Sequence, residues 1–161
     1  MDRSISVIYS TATGHTEFVV DVLVKELTKE LPTTRIIKQR AEVTQPGDLK
    51  KSGVLILACG SWNTGNTEGQ LSPYMHDLLT VRAVTEDLKG IHAAAIGLGD
   101  ERYFYTARSA EKLTEYLKDH GASLLIPTLK IINDPFDQEK KITVWATELA
   151  SMIKKLPSSN Q

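Results

Sequence analysis

The sequence predicts an α/β domain: a five-stranded parallel sheet with helices on both faces. Three observations predict it. Short β-branched runs alternate along the chain with longer segments whose apolar residues recur at helical spacing. The run Val54-Leu55-Ile56-Leu57-Ala58-Cys59 is apolar at every position, as suits a parallel strand covered on both faces. Polar, glycine-containing loops follow the strands, where the ligands of such sheets gather.

Each element has its own justification. Ile5-Ser6-Val7-Ile8-Tyr9 is β-branched and aromatic and stops at a Ser/Thr/Gly cluster, so it reads as the first strand. From Thr16 to Leu31, Val19, Val20, Leu23, Val24, Leu27 and Leu31 share a helical face, and Pro32 closes the helix. Arg35-Ile36-Ile37 is a weaker second strand, followed by the Pro46-Gly47 break and a short linking helix near Asp48. After the Val54–Cys59 strand, a polar loop from Gly60 to Ser72 leads into a short helix from Pro73 to Val81. Proline fits that first turn because its missing N–H is not needed there. Ala93-Ala94-Ala95-Ile96-Gly97 is the fourth strand and Leu98 to Tyr105 its loop. Thr106 to His120 is helical, with Ala110, Leu113 and Leu117 on one face and Gly121 as its stop. Leu124-Leu125-Ile126 and Leu129-Lys130-Ile131-Ile132 form a fifth strand region, irregular at Pro127, and Gln138 to Leu156 the last helix. One domain over residues 1–156 is expected, with 157–161 a frayed tail.

Composition narrows the function. The chain has 161 residues, 19 Lys+Arg against 20 Asp+Glu, four His and one Cys. A net charge of −1 argues against a nucleic-acid binder, which carries a basic face. A lone Cys59 excludes an intramolecular disulfide framework and a multi-cysteine metal site, and the histidines lack metal-ligand spacing. No apolar run approaches the roughly 20 residues of a membrane helix, and the N-terminus shows no signal-peptide core. The expectation is a cytoplasmic protein acting away from membranes.

Chemistry should then collect after strands one, three and four. The first loop, Thr11-Ala12-Thr13-Gly14-His15-Thr16, enters a helix. Its hydroxyls, backbone N–H groups and helix start can cradle a phosphate through neutral donors and the helix dipole, since it holds no Lys or Arg. It is neither a Walker A loop nor GxGxxG, and the same residues also make an ordinary Ser/Thr-rich helix cap. The second loop, Gly60-Ser61-Trp62-Asn63-Thr64-Gly65-Asn66-Thr67-Glu68-Gly69, sets a Trp among small polar residues. That Trp either covers a flat ligand or folds back onto the core. The third, Gly97-Leu98-Gly99-Asp100-Glu101-Arg102-Tyr103-Phe104-Tyr105, joins a GxGD turn to three aromatics. The adjacent Asp100 and Glu101 are poor candidates for acid–base catalysis, because neighbouring side chains on a loop point apart.

Together the three loops TATGHT, GSWNTG and GLGDERYFYTA resemble those of the flavodoxin family, in its short-chain form, and the element order agrees over nearly the whole chain. The resemblance implies the flavodoxin-like three-layer sandwich and an FMN-binding carrier of single electrons, with no catalytic residues. It implies that Thr11, Ala12, Thr13, Gly14, His15 and Thr16 hold the FMN phosphate. Trp62 would cover one face of the isoalloxazine and Tyr103 the other. Backbone groups around Gly60, Ser61, Gly99, Asp100, Tyr105 and Ala107 would meet the pyrimidine edge. The implied partners are a flavodoxin reductase and an acceptor enzyme, met by a monomer. The alternative on the same fold is an FMN-dependent NAD(P)H:quinone-type reductase, which needs an open flavin face. A signalling receiver would need an Asp where Cys59-Gly60-Ser61 ends the third strand.

Two departures from the family pattern bear on tuning. Its members are usually strongly acidic; here Glu68, Asp100 and Glu101 are partly offset by Arg102 and Arg108, implying a less negative potential for the second electron. Asn63 follows Trp62 where many members have Gly, at a peptide that turns its carbonyl towards reduced flavin N5. Asn adopts positive φ less freely than Gly, so the half-reduced flavin would be less favoured unless Gly65 takes over the turn.

Overall fold

The computed structural model describes residues 3–62, 70–101 and 107–157. Its strands are β1 (Ser4–Tyr9), β2 (Arg35–Arg40), β3 (Val54–Trp62), β4 (Gln70–Leu71), β5 (His92–Gly99), β6 (Ser123–Leu124) and β7 (Leu129–Ile132). The helices are α1 (His15–Glu30), α2 (Pro73–Asp77), α3 (Arg108–Asp119) and α4 (Glu139–Lys154). The sheet order is β2-β1-β3-β5-β6, all parallel, with β7 also beside β5 and the two-residue β4 antiparallel to the end of β3. Because β1 lies between β2 and β3, connections leave it on opposite sides, opening a crevice at its carboxyl end.

The unbroken apolar run of β3 has a direct cause. Val54, Ile56 and Ala58 point into one core layer, while Leu55, Leu57 and Cys59 point into the other. The first layer is closed by Val19, Val20, Leu23 and Leu27 of α1 and by Ile142, Trp145, Ala146 and Leu149 of α4. The second is closed by Met75 of α2 and by Leu113, Tyr116 and Leu117 of α3. Small residues on β5 bring α3 close to the sheet. A Cβ at Gly97 would stand 2.4 Å from the Ala110 nitrogen, so no larger residue fits this crossing.

Several boundaries differ from the sequence reading, each for a local reason. Gly60, Ser61 and Trp62 continue β3 rather than open a loop, because β4 pairs with Ser61 and Trp62. The helix begun at Pro73 ends as a π-type turn over Leu78–Arg82, where the Ala83 amide reaches the Leu78 carbonyl at 2.7 Å. The fifth strand is split: β6 stops at Leu124, one last bond joins the Leu125 amide to the Ala93 carbonyl at 2.9 Å, and Pro127 has no N–H to continue the ladder. Pairing resumes at Leu129. The second strand runs on to Arg40 as the sheet edge, where Arg35, Lys38 and Arg40 supply charged side chains.

Candidate functional site

At the carboxyl ends of β1, β3 and β5 lies a cavity of about 640 Å³, within the usual range for a small-molecule site. Its wall is formed by Ser10, Thr11, Ala12, Thr13, His15 and Thr16, by Gly60, Ser61, Trp62 and Ser72, and by Leu98, Gly99, Asp100 and Glu101, with Asn133 and Asp134.

The end under β1 is built by a tight turn. Gly14 has φ 92°, a left-handed conformation that favours glycine, and its amide donates to Thr11 Oγ1 at 2.9 Å. α1 starts at His15, so the amides of His15, Thr16 and Glu17 have no intrahelical acceptor. Thr16 is 3% exposed and lines the cavity, yet its hydroxyl has no hydrogen-bond partner among the described residues. From the cavity wall that hydroxyl can donate to a bound ligand. No Lys or Arg lines the cavity among the described residues. Such a cradle holds an anion by neutral donors and the helix dipole, which suits the phosphate of FMN.

The opposite end is built around Ser61, Trp62 and the turn after β5. The Ser61 hydroxyl donates to the Leu98 carbonyl at 2.9 Å and accepts the Ser109 amide at 3.0 Å, so β3 caps the first turn of α3. Ser109 Oγ in turn donates to the Cys59 carbonyl at 3.2 Å. Gly99 admits no side chain: a Cβ there would stand 2.1 Å from the Ala107 nitrogen. Ala107 is left-handed at φ 53° and wholly buried, and it lies behind Gly99 rather than on the cavity wall. Trp62 is 37% exposed and lines the cavity, so its ring is not folded back into the core. The groups present therefore fit FMN at both ends, with donors for a phosphate and an aromatic wall for a flat ring.

On the cavity wall, Ser10 and Ser72 join hydroxyl to hydroxyl. On β3, Cys59 is fully buried, and that burial pushes its thiol up to about 12. The cysteine is a core residue, as expected.

Thr11, Ala12, Thr13, His15, Thr16, Gly60, Ser61, Trp62, Gly99 and Asp100 thus meet in one cavity. Gly14 shapes the turn without reaching the wall, as Ala107 does on the other side. Asn63, Gly65, Tyr103 and Tyr105, with Glu68 and Arg102, lie outside the described residues. Four contributions escaped the sequence reading. Ser10 and Ser72 look there like strand and helix ends, Ser109 like an ordinary helical position, and Asn133-Asp134 like a connector. The available signal was the Asn-Asp-Pro turn at the end of the fifth strand.

Comparison with known proteins agrees with this geometry. The flavodoxin family profile matches residues 7–145. A flavodoxin of Nitratidesulfovibrio vulgaris is 23% identical over 150 residues, covering 93% of this chain and 99% of its own. Protein MioC of Escherichia coli is 26% identical over 151 residues, covering 93% and 98%. Among solved structures, oxidised Flavodoxin 1 from Bacillus cereus superposes with a TM-score of 0.82 at 22% identity, covering 96% of this chain and 99% of that one. With a matching profile over most of its length, a 2-1-3 crevice and a cation-free phosphate cradle opposite a Trp wall, the chain belongs to the flavodoxin family of FMN-binding electron carriers, in its short-chain form.

Proposed function

We propose that FMN lies with its phosphate at Thr11, Ala12, Thr13, Gly14, His15 and Thr16 and its ring against Trp62, with Tyr103 on the other face. In this reading Gly60, Ser61, Gly99, Asp100, Tyr105 and Ala107 surround the pyrimidine edge, and Asn63 and Gly65 set the turn beside the ring. The protein passes single electrons from a reductase to an acceptor enzyme and has no reductase activity of its own. It acts as a cytoplasmic monomer over one unit spanning residues 1–156.

One observation carries the reading: a threonine hydroxyl with no hydrogen-bond partner among the described residues and the exposed side chain of a tryptophan line one cavity. When bound, FMN supplies the one-electron chemistry. The chain's own residues bind, orient and desolvate. Thr11 holds the turn, Thr16 and the first amides of α1 meet the anion, and Trp62 excludes water from one ring face. Because no Lys or Arg lines the described wall, added negative charge near the phosphate is disfavoured.

The test separates a carrier from an enzyme. FMN-loaded protein mixed with NADPH and a quinone should show no sustained NADPH oxidation. Adding an NADPH-dependent flavodoxin reductase should make it transfer electrons to cytochrome c. Steady NADPH oxidation by the protein alone would overturn the reading in favour of a quinone-type reductase.

A further inference from the structure

The turn after β5 is held by a residue from the neighbouring strand. Directly beyond β7, Asn133 takes up a left-handed conformation with φ 68°. Its amide donates to the Gly99 carbonyl at 2.7 Å, and its Oδ1 accepts the Glu101 amide at 3.0 Å. These two bonds bracket Asp100. Among the described residues only Ala107 and Asn133 have positive φ without being glycine, and both meet Gly99. Two strained positions converging on one turn of the cavity wall mark a geometry that the surrounding structure imposes.

The same segment reaches the other end of the cavity. Asp134 Oδ1 accepts the Phe136 amide at 2.8 Å, and the Phe136 ring meets His15 edge-on at 5.3 Å and Phe18 at 4.9 Å. A glycine at 133 would keep the left-handed turn and the amide bond to Gly99 but lose the acceptor for Glu101.

We propose that Asn133 is a positioning residue for the ring end of the cofactor: its carboxamide holds the Gly99–Glu101 turn in the form that receives the isoalloxazine edge. The inference rests on the FMN reading above. It requires no contact between Asn133 and the phosphate, which separates it from the cradle residues.

The test titrates apoprotein with FMN and with riboflavin, which lacks the phosphate, and records the thermal midpoint of each apoprotein. Asn133→Gly should weaken both flavins alike, by roughly fivefold, the scale of one net hydrogen bond. Asn133→Asp keeps an oxygen acceptor and tolerates the left-handed turn. It should restore riboflavin binding to within about twofold of the native protein. The inference is overturned if Asn133→Gly binds riboflavin as the native protein does, whatever its thermal midpoint, or if only FMN binding suffers. It is also overturned if Asn133→Asp, folded, leaves riboflavin binding at the glycine level. Native apoprotein that binds neither flavin would instead refute the FMN reading itself.

Discussion

Ser61 caps a helix to which it does not belong: its hydroxyl accepts the amide of Ser109, the second residue of α3, at 3.0 Å. The residue preceding that helix, Ala107, has no side chain able to do so, and Ser109 is wholly buried. The cap therefore links the Trp62 wall on β3 to the helix behind Gly99. Ser61→Ala should cost about 1–3 kcal/mol, the price of a buried amide left without an acceptor. Urea unfolding checks the figure, and FMN retention should fall with it. A loss under about 0.5 kcal/mol would show the amide finding another acceptor.

Charge near the ring is the second handle. Asp100, Glu101 and Asp134 line the cavity, while Arg108 does not. Asp134→Asn keeps the acceptor for the Phe136 amide and removes one charge. The potential for the second electron should rise by on the order of 20–60 mV at low salt, and by less at high salt. A potentiometric titration at two ionic strengths reads both. An unchanged potential would mean that solvent fully screens this carboxylate.

Much of this architecture is legible in the sequence because it rests on local pattern. The doubly apolar β3 and the periodic faces of α1 and α3 state their burial directly. The Thr11–Thr16 and Trp62 segments are likewise visible, since phosphate donors and a stranded aromatic are unusual residue choices for plain connections. What stays hidden depends on pairing between distant segments. Trp62 sits at a strand end because Gln70 pairs with it, and no residue preference at Gln70 announces that. Ser109 and Asn133 matter through bonds to Ser61 and Glu101, 48 and 32 positions away. An Asn or a Ser alone carries no such address.

Asp48 gives a pH signature outside the site. Lys51 at 2.8 Å, the Gln45 amide at 2.9 Å and Gln39 at 3.1 Å hold its carboxyl down from 3.8 to about 2. A carboxyl lowered by folding stabilises the protein above its unfolded pKa, and that contribution is lost as pH falls through the folded value. Asp48→Asn should therefore cost about 1 kcal/mol at pH 7, allowing for solvent screening of the Lys51 contact. The deficit should shrink between pH 4 and pH 2. Urea titrations of both proteins across that range test it; a deficit independent of pH would assign Asp48 a role in shape rather than charge.

Cys59 should resist thiol reagents. It is fully buried, and burial holds its thiol up to about 12. Reaction with a chromogenic disulfide at pH 8 should run at least about a thousandfold slower than in urea, because it awaits opening of the core. Rapid labelling of the folded protein would show that the layer between β3 and α2 opens readily.

The central claim is that this cavity holds FMN, and the most direct measurement is the visible spectrum of the purified protein after incubation with FMN and desalting, with the released chromophore weighed by mass spectrometry. The account predicts a yellow protein retaining about one FMN per chain, with retention lost in Thr16→Val, whose shape is kept and whose hydroxyl is gone. A correctly folded protein that leaves the column colourless would contradict it, and the cradle at Thr11–Thr16 would then have to serve another anion.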